Sequence, residues 1–450
     1  MTLRFGTDGL RGVANRELTA ELALALGRAA ARRMGAGTFL VGRDTRRSGS
    51  LLAASLAAGL ASEGARVVDV GVVPTPGLAW LAADRRVPGA MVSASHNPFH
   101  DNGIKLLSSS GTKLAEPLEH DIEEELRRLV AGGAPPDLDG VAVGEVLLEP
   151  DARDAYVAHL VGAVRLDEPA RLKVVCDCAN GAAAPLAAAV LAGVGVDAVL
   201  VAAEPDGVNI NDRCGSTHAE RLGPVVLEHG ADLGLCFDGD ADRLIALDHL
   251  GRVVDGDQLL ALFALDLHAR GELRNDAVAV TVMSNLGLRR ALEGADIAVV
   301  ETPVGDRYVV DAMVTHDLVL GGEQSGHLVF RREATTGDGL LTGVKLLELV
   351  HRRARPLAEL AAAAMRRLPQ ELATVRVPEP RRLEGAAGVW AEVDAVQAAL
   401  EGRGRVLLRP SGTEPVVRVM VEAETAEEAR SCTTRLVKVV QAALGSSSAG

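Results

Sequence analysis

Two short runs of this chain could do chemistry together. Ser93-Ala94-Ser95-His96-Asn97-Pro98 offers a hydroxyl nucleophile, Ser95, in a tight polar loop. Asp238-Gly239-Asp240-Ala241-Asp242-Arg243 offers three alternate carboxylates directly after the apolar stretch Leu233 to Phe237. A serine hydroxyl opposite a cluster of hard oxygen ligands suggests metal-assisted phosphoryl transfer through the serine. In extended backbone the side chains of residues i, i+2 and i+4 point the same way, so Asp238, Asp240 and Asp242 are expected to meet one divalent cation. An EF-hand loop also begins with alternate aspartates but needs Gly at its sixth position and Glu at its twelfth, where this chain has Arg243 and His249. A solvated acidic turn is the plainer alternative in a chain with 61 acidic residues.

Other residues can be read in the same way. Pro98 forbids a regular helix through the Ser95 loop, where a serine is ordinarily a turn hydroxyl bonded to local backbone. The same proline keeps His96 and His100 from converging as a zinc pair, and no other histidine pair has ligand spacing. Arg243 supplies fixed positive charge beside the acidic run, or a salt bridge within it. Glu323 and Ser325, in Gly321-Gly322-Glu323-Gln324-Ser325-Gly326-His327, pair an ionised acceptor with a hydroxyl suited to adjacent sugar hydroxyls. Arg409, Ser411, Gly412 and Thr413 combine a bidentate cation, two hydroxyls and glycine-exposed N–H groups, a phosphate-binding set that is equally compatible with a plain hairpin turn.

The elements that must position these loops alternate between strand and helix patterns, the mark of parallel α/β architecture. A strand followed by an Ala/Leu-rich helix occurs three times: Phe39 to Asp44 with Ser48 to Ala65, Val174 to Asp177 with Ala182 to Gly193, and Val278 to Met283 with Leu286 to Leu292. Each is followed by a second strand ending in one of the polar loops, 93–98, 238–243 or 321–327. The expected fold is α/β: three related α/β units with mixed sheets around a central cleft, plus a C-terminal α+β domain. Composition shifts place the boundaries at 1–150, 151–252, 253–367 and 368–450, with Gly132-Gly133-Ala134-Pro135-Pro136 opening the first linker and Ser446 to Gly450 a disordered tail.

Composition narrows the function classes. The 450 residues suffice for about three or four domains. With 48% hydrophobic but only 2% aromatic residues, the cores must be aliphatic. A net charge of -14 without any basic tract disfavours nucleic acid and anionic membranes as partners. No signal peptide is visible, since Glu21 and Arg28 break the apolar stretch from Leu18 to Ala31, and Leu186 to Ala203 reads as helix, turn and strand, not as a membrane span. Five scattered cysteines make no disulfide framework, and Cys176 and Cys178 read as buried thiols in a strand, which fits a reducing cytoplasm.

The runs Phe5-Gly6-Thr7-Asp8-Gly9-Leu10-Arg11-Gly12, 93–98, 238–243, 321–327 and Arg409-Pro410-Ser411-Gly412-Thr413-Glu414-Pro415 resemble, in order, the signature loops of the α-D-phosphohexomutase family. The resemblance extends from residue 4 to about residue 440 and is closest to the amino-sugar branch. It implies an isomerase that interconverts glucosamine 6-phosphate and glucosamine 1-phosphate through a 1,6-bisphosphate, feeding synthesis of UDP-N-acetylglucosamine and the peptidoglycan precursor. By the same resemblance Ser95 carries the transferred phosphoryl group and, with Asp238, Asp240 and Asp242, ligates Mg2+. Lys105, His327 and Arg11 match positions that share acid/base and charge-stabilising work, while Glu323 and Ser325 match a sugar-reading loop. Glucosamine or glucose 1,6-bisphosphate is implied as activator, a hexosamine phosphate as ligand, and a homodimer as assembly. Phosphomannomutase or phosphoglucomutase is the alternative within the family. A serine-dependent sugar phosphatase would use the same nucleophile and metal, whereas a sugar-phosphate binding protein would need neither Ser95 nor the aspartates.

Overall fold

The structure is a computed structural model, and it describes residues 9–35, 37–133, 138–164, 172–411 and 415–445. The expected linker residues Ala134 to Pro136 and the expected tail Ser446 to Gly450 lie outside the described residues. By contact the chain divides into two compact units, one of Met1–Met283 with Ile297–Ala363 and one of Ser284–Asp296 with Ala364–Gly450.

The first unit holds three mixed sheets. The first has β1 (Leu10–Val13), β2 (Thr38–Arg43), β3 (Arg66–Val72), β4 (Gly89–Val92), β5 (Asp101–Leu107) and β6 (Val146–Leu148), in the order β1-β5-β4-β2-β3-β6. The second has β7 (Lys173–Asp177), β8 (Asp197–Val201), β9 (Leu233–Phe237), β10 (Leu244–Asp248) and β11 (Val253–Val254), ordered β11-β10-β9-β7-β8. The third has β12 (Ala277–Thr281), β13 (Ala298–Thr302), β14 (Leu320–Gly322) and β15 (Leu328–Phe330), ordered β13-β12-β14-β15.

One four-stranded pattern recurs in all three. A strand (β2, β7, β12) pairs in parallel with its successor (β3, β8, β13) on one side and with a third strand (β4, β9, β14) on the other. That third strand turns back into an antiparallel hairpin (β5, β10, β15). The threefold repeat expected from the sequence is therefore present, and each polar loop is the turn of the equivalent hairpin. Central strands such as β4, β9 and β12 are buried along their whole length, which is why they read as unbroken apolar runs. Helices cover the sheets, among them Arg47–Ser62, Ala184–Gly193 and Gly256–Ala269, the last started by a capping box in which Asp255 and Gln258 bond each other's backbone N–H. The core on one face of the first sheet is Leu, Val, Ala and Ile with a single Phe, as the low aromatic content requires.

The second unit is an antiparallel sheet of β16 (Gln370–Arg376), β17 (Arg405–Pro410) and β18 (Val416–Glu422), ordered β16-β18-β17, with helices Ala387–Ala399 and Ala426–Leu444. Val389, Val396, Leu408, Val419, Leu436 and Val440 share its core. The helix Leu286–Glu293, expected to follow β12, forms as expected and belongs to this unit. Buried Glu422 fixes it there, accepting from Leu286 N at 2.9 Å, Gln370 Nε2 at 2.8 Å and Arg405 Nε at 2.7 Å. Among the described residues no helix is long and apolar enough to cross a membrane.

Candidate active site

Ser95 sits in the β4–β5 hairpin and is 2% exposed. Its φ is 51°, in the left-handed region that a serine adopts only where its surroundings hold it. Those surroundings are a buried network from the loop after β2. Ser93 Oγ donates to Asp44 Oδ2 at 2.6 Å and accepts from Ser95 N at 3.0 Å. Arg46 Nε pairs with Asp44 Oδ2 at 2.9 Å, and its Nη2 donates to Ser95 O at 2.8 Å. Ser93 is thus committed to structure, while Ser95 Oγ is aimed at Asp238 Oδ2, 2.6 Å away, with His96 Nδ1 at 3.3 Å.

The acidic run is a turn, which corrects the expectation of extended backbone. Ala241 N bonds Asp238 O at 3.0 Å, and Ala241 itself has φ 55°. The three carboxylates converge because the chain wraps around them, so that oxygens of Asp238, Asp240 and Asp242 lie within 4.8 Å of one another. Gly239 permits the approach of the serine loop, since a Cβ there would stand 2.6 Å from Ser95 O. Asp240 Oδ2 accepts from Lys105 Nζ of β5 at 2.9 Å and from Thr75 Oγ1 at 2.6 Å. Asp242 faces His327 Nδ1 at 3.6 Å and Arg243 Nε at 3.7 Å.

Burial and crowding set the protonation of these groups. Burial, then the charges of Asp242 and Asp240, push the Asp238 carboxyl well above the usual range. Burial and Asp242 press on Asp240 in the same sense, but Lys105 and Thr75 hold it below its ordinary value. Burial is outweighed at Asp242 by His327, Lys105 and Arg243, leaving it well below. His327, buried, is raised against that burial to about 9 by Asp242. Gly337 N donates to His327 Nε2 at 3.0 Å, so the ring as placed carries its proton on Nδ1, toward Asp242, and a second proton requires that bond to open. A Cβ on Gly337 would lie 2.5 Å from the same ring. Burial, then Arg243 and Arg11, lower His96 to about 4, so it is neutral at pH 7. Arg11 pairs across from Gly103 on β1.

The sugar-loop residues follow β14. Glu323 Oε1 accepts from Gly305 N at 3.1 Å, and Ser325 Oγ donates to Glu323 Oε2 at 3.3 Å. The hairpin turns thus bring Ser95, Lys105, Asp238, Asp240, Asp242, Arg243 and His327 together. In the second unit Arg409 lies on β17 opposite Arg418, and Ser411 N bonds Val416 O at 2.9 Å. Gly412 and Thr413, with Phe5 to Asp8 of the opening motif, lie outside the described residues.

The donor set fits a hard divalent cation. Asp240 Oδ1 and Asp242 Oδ1 are buried and lack any hydrogen-bond partner, a costly arrangement that oxygen coordination would relieve. Among the described residues this is the one cluster of three His, Cys, Asp or Glu side chains with ligand atoms so close. Sequence reasoning passed over Thr75, Asp44, Arg46 and Gly337, and weighed His96 only as a zinc ligand. The motif Gly42-Arg43-Asp44-Thr45-Arg46, a polar cluster ending a buried strand, was the available signal for two of them.

The chain matches the phosphoglucomutase/phosphomannomutase family in four consecutive segments: α/β/α domain I over residues 2–131, domain II over 154–251, domain III over 255–368 and the C-terminal domain over 372–439. It is 51% identical to the phosphoglucosamine mutase of Frankia alni, over 99% of each chain. The crystal structure of a phosphoglucomutase/phosphomannomutase family protein from Burkholderia thailandensis superposes with a TM-score of 0.81 at 27% identity, covering 97% of each chain. The N-acetylphosphoglucosamine mutase of Aspergillus fumigatus, solved with GlcNAc-6P and magnesium, shares the fold with a TM-score of 0.71 at 19% identity, over 98% of this chain and 96% of that one. With all four segments in order and half of the residues shared with a full-length relative, this chain belongs to the phosphoglucomutase/phosphomannomutase family.

Proposed function

We propose that the chain is an isomerase interconverting glucosamine 6-phosphate and glucosamine 1-phosphate, supported by the full-length likeness to phosphoglucosamine mutases. The observation that carries the mechanism is the 2.6 Å contact of Ser95 Oγ with Asp238 inside a buried carboxylate cluster that is short of partners. In this reading the phosphoryl group passes from Ser95 Oγ to a sugar hydroxyl, which gives up its proton while the Ser95 oxygen regains one, leaving a 1,6-bisphosphate and free Ser95. The bisphosphate then returns its other phosphoryl group to Ser95. Asp238, Asp240 and Asp242, with an oxygen of phosphorylated Ser95, would hold Mg2+, which when bound neutralises phosphoryl charge. Lys105 and Arg243 add fixed positive charge from either side of the triad, and Arg11 adds more beside His96. His327 keeps Asp242 ionised, and neutral His96 offers an acceptor to the Ser95 hydroxyl.

Glu323 and Ser325 are the proposed sugar contacts. Arg409, Ser411, Gly412 and Thr413 are the proposed clamp for the phosphate that is not reacting, and the four-part division at 1–150, 151–252, 253–367 and 368–450 is retained as the domain proposal. Glucosamine or glucose 1,6-bisphosphate is the proposed activator, a homodimer the proposed assembly and a reducing cytoplasm the proposed setting, the last supported by five free thiols. The product would feed synthesis of UDP-N-acetylglucosamine and the peptidoglycan precursor.

The test is to incubate the Mg2+-loaded protein with glucosamine, glucose or mannose 6-phosphate and a trace of glucose 1,6-bisphosphate, following 1-phosphate and free phosphate by 31P NMR. The expected result is a preference of roughly ten- to hundred-fold in kcat/KM for glucosamine 6-phosphate, the discrimination of one charge-assisted bond. Equal or better turnover of the other sugars would shift the assignment to the phosphomannomutase or phosphoglucomutase reading, and accumulating free phosphate to a phosphatase.

A further inference from the structure

The backbone carbonyls of Ser95 and Asn97 are each held twice. Arg46 Nη2 donates to both, at 2.8 Å and 2.8 Å. Asn211 Nδ2 donates to the same two, at 2.9 Å and 3.0 Å. Both acceptors are carbonyls, so only the amide nitrogen of Asn211 satisfies them and its orientation is fixed by chemistry.

The two forks differ in origin. Arg46 comes from the loop after β2, within the sheet that carries Ser95. Asn211 lies 116 residues from Ser95, on the segment between β8 and β9, in the sheet that carries the acidic triad. Asn211 N is bonded to Ala179 O at 2.9 Å, which fixes the segment to the end of β7. A Cβ on Gly239 would meet Ser95 O at 2.6 Å and Asn211 Nδ2 at 2.8 Å, so the amide sits at the contact between the serine loop and the metal loop.

We propose that Asn211 is a positioning residue for phosphoryl transfer: its amide ties the left-handed backbone of Ser95 to the α/β unit that carries Asp238, Asp240 and Asp242. Arg46 already gives both carbonyls a donor. What Asn211 adds is registration between two sheets of the first unit whose reacting groups must meet closely, where a misplacement of about 1 Å costs about a hundred-fold in rate.

The inference rests on the phosphoserine reading above, and its test separates the two. Asn211 has φ 58°, which glycine also adopts, so Asn211→Gly removes the amide without straining the backbone. Its kcat for glucosamine 6-phosphate should fall about 10- to 100-fold, with KM and Tm close to wild type. The rate at which glucose 1,6-bisphosphate phosphorylates Ser95, read by quenched-flow mass spectrometry, should fall in parallel. Asn211→Asp keeps the shape but sets a carboxylate against two carbonyls, so it should be slower still. A merely structural asparagine predicts that Tm falls in both variants while kcat, read well below the unfolding transition, does not move. Unchanged kcat and phosphorylation rate in Asn211→Gly, or losses that track Tm alone, would overturn the proposal, and Asn211→Gly decides by itself if Asn211→Asp does not fold. A wild-type protein that neither isomerises the sugar phosphate nor takes phosphate on Ser95 would overturn the underlying reading instead.

Discussion

Three buried acidic regions of the first unit follow two opposite plans. Glu125, 3% exposed, meets three arginines: Arg32 at 3.0 Å, Arg33 at 2.8 Å and Arg128 at 2.5 Å. Asp266 is likewise ringed by Arg270 at 3.2 Å, Arg352 at 2.5 Å and Arg353 at 2.6 Å. At the acidic triad the ratio inverts, with three carboxylates sharing Lys105, Arg243 and His327, and two buried oxygens that accept no hydrogen bond. Surplus cations saturate a carboxylate and hold helices together, whereas surplus carboxylates in a dry site are unstable alone and are completed by a cation. Stability and function therefore draw opposite signs from the same residue type.

The largest effect expected is at the group the triad serves. Ser95→Ala should lower kcat by more than about a thousand-fold, since the attacking oxygen is gone, while Tm stays within a few degrees. Intact-mass spectra after incubation with glucose 1,6-bisphosphate should show no phosphoenzyme, and phosphate found on Ser93 in active enzyme would end the assignment. Asp238→Asn comes next and sharpens the contrast by moving two readouts in opposite directions. Removing one crowded charge should raise the Tm of the metal-free protein by about 2–4 °C while kcat falls about a hundred-fold or more. Mg2+ should raise the Tm of wild type, and less so that of the variant, because a ligand that binds only the native state stabilises it. A loss of metal-free stability in Asp238→Asn would break the comparison.

Glu125→Gln should show the reverse pattern, a loss of about 1–3 kcal/mol in urea unfolding with kcat within about two-fold of wild type. The pH dependence follows from the sign of the shift. Arg128 first, then Arg32 and Arg33, depress the Glu125 carboxyl to about 2 from 4.5, against the opposing effect of burial. The stabilisation is thus complete above about pH 4.5 and is lost as pH falls toward about 2. The difference between wild type and Glu125→Gln should shrink across that window and stay constant above it. The smallest effect is expected for Arg270→Ala, under about 1 kcal/mol, because Asp266 keeps Arg352 and Arg353. A larger loss would mean that the ring acts as one network.

Much of this architecture is written locally. Strand and helix patterns depend on periodicity and turn chemistry within a few residues, so the three repeats, the C-terminal α+β unit and the loops bearing Ser95, Asp238 and Glu323 could be read from the chain alone. The residue types of the triad also pointed to a cluster that could hold a hard cation, although the local reason was wrong. The carboxylates meet in a turn with Ala241 at φ 55°, not along an extended strand. Only the tertiary structure decided which groups share the site and in what electrical state. Thr75 reaches Asp240 across 165 positions and Asn211 reaches Ser95 across 116, and no local pattern encodes a separation of that length. Lys105 looks like a surface lysine in sequence and is 7% exposed beside Asp240. Burial, which leaves Asp240 Oδ1 and Asp242 Oδ1 without hydrogen-bond partners, arises when the sheets pack. The sequence by itself determined the inventory of groups, and packing determined their spacing and dielectric, on which charge and reactivity depend.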